Sequence, residues 1–366
     1  MRVAIVHYWL VGRRGGEKVL EALCEIYPEA DLFTHVYDPA AVGPVIAAHN
    51  VTTTFIAKLP FARRLYKHYL PLMPFALEDL DLSAYDLVIS SESGPAKGVL
   101  TRPDTLHICY CHSPMRYIWD QYHLYRSAAG PLARLILLFI APFLRVWDVS
   151  SANRVDHFIA NSRFVAKRIE KTYRRKATVI CPPVALSDYA VADHPSLDYY
   201  LFLSQLEAYK RPDLVIEAAN RSGRRLIVVG TGSEEKRLKD LAGPTVTLLG
   251  RQTTEQIAEL LRNCRALLFA GIEDFGIVFL EAMASGRPVI AYAAGGALDA
   301  VVEGKTGLFF REQTALSLIQ AMEAFELNPN AFDPLAIRVH AESFGTEAFK
   351  AKFMQAVANF AANRTV

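Results

Sequence analysis

The sequence predicts an α/β protein of two successive domains, each a parallel sheet with helices on both faces. Three observations carry that expectation. Short β-branched runs alternate with helical stretches almost from end to end, the pattern of parallel sheets built from strand-helix-strand units. The alternation breaks once, at "PPVALSDYAVADHPSLD" (182–198), rich in proline and aspartate and without a clear period, and then restarts. The length of 366 residues, 52% of them hydrophobic and 21% charged, suits two globular domains of ~150–200 residues without a disordered tail. The expected domains are 1–181 and 182–344, with 345–366 either capping the second or crossing back onto the first.

Taken in order, "RVAIV" opens the first sheet. Too few apolar residues precede Gly12 and Arg13 for a signal peptide, so this is a strand of a cytoplasmic protein. "DLFTHV", "VTTTFI", "DLVISS", "LHICYC", "HFIAN" and "ATVIC" complete the set. After the linker come the strands "YYLFLS", "RLIVVG", "TVTLLG", "ALLFAG", "PVIAY" and "GLFF". Between them lie the helices "RPDLVIEAAN", "SEEKRLKDLA", "TTEQIAELLRN" and "VFLEAMAS". Thr253 and Gln256 have the spacing of a capping box, which fixes the start of the third of these. "EAFKAKFMQAVANFAA" (347–362) is a last amphipathic helix with no strand to follow it.

Composition excludes several partners. A formal net charge of +2 gives no long-range field, so nucleic acid is not expected. The five cysteines (24, 109, 111, 181, 264) include no CxxC pair and suit reduced thiols in the cytoplasm, with no metal ligation. The strongest apolar run, "LILLFIAPFL" (135–144), is too short to cross a hydrocarbon core of ~30 Å. It is either a buried helix or one lying in a membrane interface. "FIAKLPFARRLYKHYLPLMPF" (55–75) interleaves Lys58, Arg63, Arg64 and Lys67 with aromatic and aliphatic residues and has no acidic one. It suits an anionic membrane surface at the inner leaflet, or equally a packed segment with solvated cations.

Two α/β sheets in succession put a ligand cleft between domains, lined by strand ends and helix N-termini, and the residues with chemistry lie at such ends. Gly15 and Gly16 separate the first strand from a helix, where a ligand can approach the backbone and negative charge is favoured. They do not make GxGxxG, so a dinucleotide is disfavoured. "YCHSPMRYIWDQY" (110–122) follows the fifth strand and gathers His112, Arg116, Tyr117 and Asp120. Lys210 and Arg211 stand at the start of a helix, whose dipole prefers anions; a bound diphosphate resolves that conflict, and two solvated surface cations are the alternative. Glu273 and Glu281 flank a turn, Phe275-Gly276-Ile277, that leads into a helix. They read as two carboxylates gripping different sugars around a phosphate, as a glycosidase pair, or as residues of a turn and a wet helix face.

Together these segments resemble the retaining glycosyltransferases of family four. These have the GT-B architecture, two Rossmann-like parallel-sheet domains facing each other across a cleft. The E-x7-E motif reads as Glu273 to Glu281 within "EDFGI" and "EAMASGRPVIAYAAGG", and "HFIANS", "CPPV" and "AYKRPDL" fall before it in family order. The similarity spans nearly the whole chain and is strongest over 199–308. "GGEKVL" and "YCHSPMRYIWD" resemble the bacterial mannosyltransferases of O-antigen and exopolysaccharide synthesis.

The resemblance implies an acceptor-binding first domain and a donor-binding second one. It implies that Glu273 contacts the transferred sugar, Glu281 the ribose, and the backbone amides of Phe275, Gly276 and Ile277 the sugar and phosphate. Lys210 would bind the diphosphate, Gly16 would face the phosphates and His112 the sugar ring, which makes Glu273, His112 and Lys210 the catalytic set. Gly15, Gln205, Arg211 and Arg251 complete the donor side, and Arg116, Tyr117 and Asp120 are acceptor-side candidates. Gln205 stands where the family usually has an arginine, which removes one phosphate cation unless Arg211 replaces it. The implied partners are a nucleotide-sugar donor, GDP-mannose first and UDP-sugars second, and a lipid-linked saccharide acceptor. No cofactor and no metal are implied. A sugar-nucleotide epimerase, a phosphorylase-like enzyme and a non-catalytic nucleotide-sugar binder are the competing readings.

Overall fold

The computed structural model describes residues 1–362 other than 14, 193 and 195. The chain forms two compact units. One is Met1–Pro182 together with the chain from Phe349 onward, and the other is Pro183–Ala348.

The first unit holds seven parallel strands: β1 (Val3–His7), β2 (Asp31–Thr34), β3 (Val51–Thr53), β4 (Leu87–Glu92), β5 (Leu106–Cys111), β6 (His157–Ala160) and β7 (Ala177–Val179). Their order is β3-β2-β1-β4-β5-β6-β7. The central strands β1, β4 and β5 are buried throughout, as strands covered on both faces must be, which is why they read as apolar runs and not as alternations. On one face, Val19, Leu20 and Leu23 of the helix Gly15–Ile26 pack on Ile5, Ile89 and Ile108. Phe349, Phe353 and Val357 of the helix Thr346–Ala362 join the same cluster. The terminal helix, which the sequence leaves free to go either way, therefore completes the core of the first unit; its neighbours 363–366 lie outside the described residues.

On the other face Leu144 and Trp147 of the helix Pro131–Ala152 pack against Val6, Val88 and Ile118. This helix contains the apolar run, and it is neither wholly buried nor wholly exposed. Ala141, Leu144 and Trp147 face inward, while Leu132, Leu135, Ile136, Phe139, Phe143 and Val146 are exposed, Leu132 and Phe139 at 71% each and Val146 at 73%. Phe75 of the basic-aromatic segment stacks on Phe143 with ring centroids 6.3 Å apart and is itself exposed. That segment winds through short turns, with Ile56, Ala62, Tyr66 and Met73 buried against Val36. Among the described residues no helix is long and apolar enough to cross a membrane.

The second unit holds β8 (Tyr200–Leu203), β9 (Leu226–Val229), β10 (Val246–Gly250), β11 (Leu267–Phe269), β12 (Val289–Tyr292) and β13 (Gly307–Phe310), all parallel, in the order β10-β9-β8-β11-β12-β13. The expected capping box is present: Thr253 Oγ1 accepts from Gln256 N at 3.3 Å and Gln256 Oε1 from Thr253 N at 2.9 Å. The stretch 182–198 corrects its reading as a linker. From Pro183 it belongs to the second unit. Val184 and Tyr189 are buried there, and the Arg338 guanidinium donates to the carbonyls of Leu186, Tyr189 and Ala284 at 3.3, 2.8 and 2.7 Å. One arginine thus satisfies carbonyls that no strand pairs, an arrangement invisible in a proline- and aspartate-rich composition. Within this stretch residues 193 and 195 lie outside the described ones.

Candidate functional site

Each sheet reverses its winding at one place, and ligands of such folds bind outside the C-terminal ends of the strands there. In the second unit that place lies between β8 and β11. Lys210 ends the turn after β8 and Glu273 lies in the loop after β11. Lys210 Nζ is 2.8 Å from Glu273 Oε1 and donates to Ser204 Oγ at 2.8 Å. Both side chains are largely covered, 12% and 16% exposed. The loops meet because Gly271 has no side chain; a Cβ there would lie 2.6 Å from Lys210 Cα. Gly295 and Gly296 serve the Glu273 loop in the same way: a Cβ on Gly296 would drive into Phe275, and Gly296 N donates to Glu273 O at 2.8 Å.

Gly276 takes φ +88° and caps the helix Ile277–Ala284, a backbone state that any other residue would strain to reach. Phe275 is buried, which anchors the turn. Glu281, one turn into that helix, is hydrogen-bonded by the Tyr189 phenol, whose own pKa is driven up by burial and by this carboxylate. Glu273 and Glu281 therefore have different partners and do not form a facing acid pair.

The conflict expected at the start of the helix Pro212–Ser222 is half resolved within the chain. Arg211, at φ +53°, pairs with Asp213 of the first turn, Nε to Oδ1 at 3.0 Å. Lys210 alone is left turned toward the switch point. Gln205 is exposed in the loop after β8. Arg251 follows β10, the edge strand two positions from β8, and is exposed outside the Lys210–Glu273–Ser204 network.

In the first unit the winding reverses between β1 and β4. Gly15 and Gly16 open the helix after β1, and a side chain on Gly16 would collide with the Tyr8 hydroxyl and come within 3.8 Å of His112 Nε2. His112 follows β5. Its Nε2 lies 3.0 Å from Ser91 Oγ, which lies 3.1 Å from His7 Nδ1, and His7 Nε2 is 3.9 Å from Glu17 Oε1. His7, Ser91 and Glu17 are buried. Burial, with the His7 ring beside it, pushes the His112 pKa down to about 3, so the imidazole is neutral.

The loop behind His112 is pinned. The Tyr117 hydroxyl is buried, because the ring packs on the apolar cluster around Ile118. Asp120 pairs with Arg168, which also donates to Ser113 Oγ at 3.0 Å. Arg116 is half-buried and has an interaction of its own. Below the loop lies a fully buried ion cluster. Lys97 Nζ is 2.8 Å from Glu92 Oε1 and pairs with Asp148, which accepts from Trp119 Nε1 at 2.7 Å and Tyr173 OH at 2.9 Å. Sequence reading missed His7, Glu17, Ser91, Ser204, Tyr189 and this cluster; the one available signal was that several sit at predicted strand ends. Among the described residues no three His, Cys, Asp or Glu side chains gather to hold a metal ion.

Two parallel-sheet units, each with polar side chains gathered where its winding reverses, define the GT-B fold. The whole-chain likeness agrees: Anabaena HepE in complex with UDP-glucose superposes with a TM-score of 0.70 at 17% identity, over 98% of this chain and 100% of that one. Residues 13–188 match the family model described as Glycosyltransferase Family 4, and 194–340 the one described as Glycosyl transferases group 1. The chain belongs to the GT-B glycosyltransferases of family 4. A D-inositol 3-phosphate glycosyltransferase of Gordonia bronchialis is 30% identical over 261 residues, 60% of this chain and 57% of that protein. Its counterpart from Mycobacteroides abscessus is 39% identical over 119 residues, 29% of this chain and 27% of that protein. The chain spans about half or less of the length of these two relatives.

Proposed function

We propose that this protein transfers a hexose from a nucleotide-sugar to a hydroxyl of a lipid-linked saccharide, with retention of anomeric configuration, in the synthesis of a bacterial surface polysaccharide. The observation that carries this reading is the Lys210–Glu273–Ser204 group at the β8/β11 switch point. An ammonium has three donors; two are spent on Glu273 and Ser204, and the third is available to a diphosphate oxygen. The Glu273 carboxylate keeps lone pairs for sugar hydroxyls beyond the one that faces Lys210. Glu281, steadied by Tyr189, suits the ribose diol.

In the step itself, the bond from the sugar's anomeric carbon to the diphosphate oxygen breaks and a bond to the acceptor oxygen forms on the same face. The acceptor proton passes to the departing phosphate oxygen. Lys210 and the first amides of the helix Ile277–Ala284 stabilise the charge that develops there, which lowers the barrier more than it strengthens ground-state binding. His112 is the sugar-side residue of the first unit.

Mannose carried on GDP is the donor we propose, on the strength of the "GGEKVL" and "YCHSPMRYIWD" segments. A UDP-hexose is the second reading, favoured by the UDP-glucose held by the similar Anabaena HepE. A thermal-shift panel of GDP- and UDP-sugars separates them, since a ligand at ~100 times its Kd stabilises by ~2.7 kcal/mol. Free nucleoside diphosphate that appears only when acceptor is added would support transfer. Turnover without acceptor favours an epimerase or phosphorylase-like reaction, and binding without turnover a non-catalytic partner. The exposed apolar face of the helix Pro131–Ala152, with Phe75 beside it, supports a peripheral site on the cytoplasmic leaflet, where a lipid-linked acceptor resides.

A further inference from the structure

The buried chain that ends on His112 has a direction. Ser91 Oγ lies within hydrogen-bond distance of both His7 Nδ1 and His112 Nε2. A hydroxyl carries one proton, so it donates to one nitrogen and accepts from the other. The two imidazoles therefore do not choose their tautomers independently. The choice is made at the far end, where His7 Nε2 has no hydrogen-bond partner and faces the Glu17 carboxylate at 3.9 Å. An N–H is attracted there and a lone pair is repelled.

With the proton on His7 Nε2, His7 Nδ1 accepts from Ser91, and Ser91 accepts from His112 Nε2–H. The one nitrogen left is His112 Nδ1, to which no described protein group hydrogen-bonds.

We infer that Glu17, His7 and Ser91 form a positioning chain that fixes His112 as the Nε2–H tautomer, so that its Nδ1 presents a lone pair and selects a ligand hydroxyl over a phosphate oxygen. The β-sheet register supplies the rigidity: His7 pairs with Ser91 across β1 and β4, and Glu92, the residue after Ser91, pairs with Cys111, the residue before His112, across β4 and β5. The His112 amide donates to Glu92 O at 2.7 Å and its carbonyl accepts from Asn161 Nδ2 at 2.9 Å, so the ring is held at both ends of its own backbone. The functional part of the inference rests on reading His112 as the residue beside the transferred sugar; the tautomer itself does not.

The test has two independent arms. Imidazole 15N spectra of the histidine-labelled full chain, with His112 assigned by its loss in His112→Gln, read the tautomer without any ligand. The wild type is expected to show a pyrrole-type Nε2 and a pyridine-type Nδ1. The isosteric Glu17→Gln, which keeps the packing, and Ser91→Ala are both expected to shift His112 toward Nδ1–H or a mixture. A wild-type Nδ1–H form, which a doubly protonated His7 would impose, overturns the assignment, as does a tautomer unchanged in both variants. The second arm measures transfer with the nucleotide-sugar that stabilises the wild type. Both variants are expected to lose about tenfold in kcat/KM, the worth of one hydrogen bond, with unchanged affinity for the free nucleoside diphosphate. Equal kcat/KM in all three proteins would overturn the positioning role. If no nucleotide-sugar binds the wild type, it is the proposed function that fails, and the spectra still decide the chain.

Discussion

Lys210 is the residue on which the proposed reaction turns. With Arg211 committed to Asp213, its removal leaves the switch point of the second unit without its ammonium. Lys210→Ala is expected to lower kcat by about 10²-fold or more in a steady-state transfer assay with the fold intact by circular dichroism. The wild-type rate is expected to survive a chelator. A rate lost to the chelator and restored by magnesium would move the charge stabilisation from Lys210 to a metal. Glu281→Ala is expected to weaken nucleotide affinity more than it slows the bound complex, and Tyr189→Phe to do the same more mildly, because the phenol only steadies the carboxylate; an isothermal titration of the nucleoside diphosphate against each variant decides. Glu273, Glu281 and Lys210 were legible in the sequence because each lies inside one continuous motif. His7, Ser91 and Glu17 were not. His7 meets Ser91 across 84 positions, and only strand register, which no local spacing announces, sets the two side by side.

At the scale of elements, the helix Pro131–Ala152 has one face packed inside and one exposed. The sequence predicted a helix too short in its apolar run to span a bilayer, but a run that is apolar all round cannot say which side packs. Packing puts Leu144, Trp147 and Asp148 inside and leaves Leu132, Phe139 and Phe143 outside. Phe139→Glu is expected to cut co-sedimentation with anionic vesicles several-fold while leaving the melting temperature within about a degree, since an exposed substitution away from partners changes stability by under ~0.5 kcal/mol. Equal, negligible sedimentation of wild type and variant would leave the outer face without a lipid role. The inner face is anchored by ions. Lys97→Ala would leave the buried Glu92 and Asp148 carboxylates without their cation, and breaking such a buried group costs about 3–5 kcal/mol. Urea unfolding is expected to show that loss as a lowered midpoint with an unchanged slope. Trp119 hangs from the same Asp148, so the variant is also expected to alter tryptophan fluorescence.

At the scale of the whole molecule, stability is tied to buried imidazoles. Burial pushes the pKa values of His35 and His112 down to about 3 and that of His107 to about 4. Unfolded, all three take up protons below about 6.5; folded, they do not. The unfolded chain therefore binds three extra protons between about 4.5 and 6.5. Glu92, which burial raises to about 7 despite Lys97, works in the opposite sense as a single group. The net is two protons in favour of the unfolded state, so stability is greatest near pH 6.5 and falls by about 2.7 kcal/mol per unit as the pH drops toward 4.5. Denaturant titrations at pH 7, 6 and 5 check the slope; a flat profile would mean that the buried histidines do not control it. The two-sheet architecture was legible in the sequence, since every predicted strand falls on an observed one. The destination of the last helix was not, because an amphipathic face fits any apolar partner. That destination has a consequence during synthesis. Phe349 and Phe353 leave the ribosome about 170 residues after Pro182 closes the first seven strands, a delay of roughly 10–30 s at elongation rates of ~5–20 residues per second. For that interval the nascent amino-terminal sheet carries an unfilled apolar slot over Ile5 and Ile108, open to water until the chain's own tail arrives to occupy it.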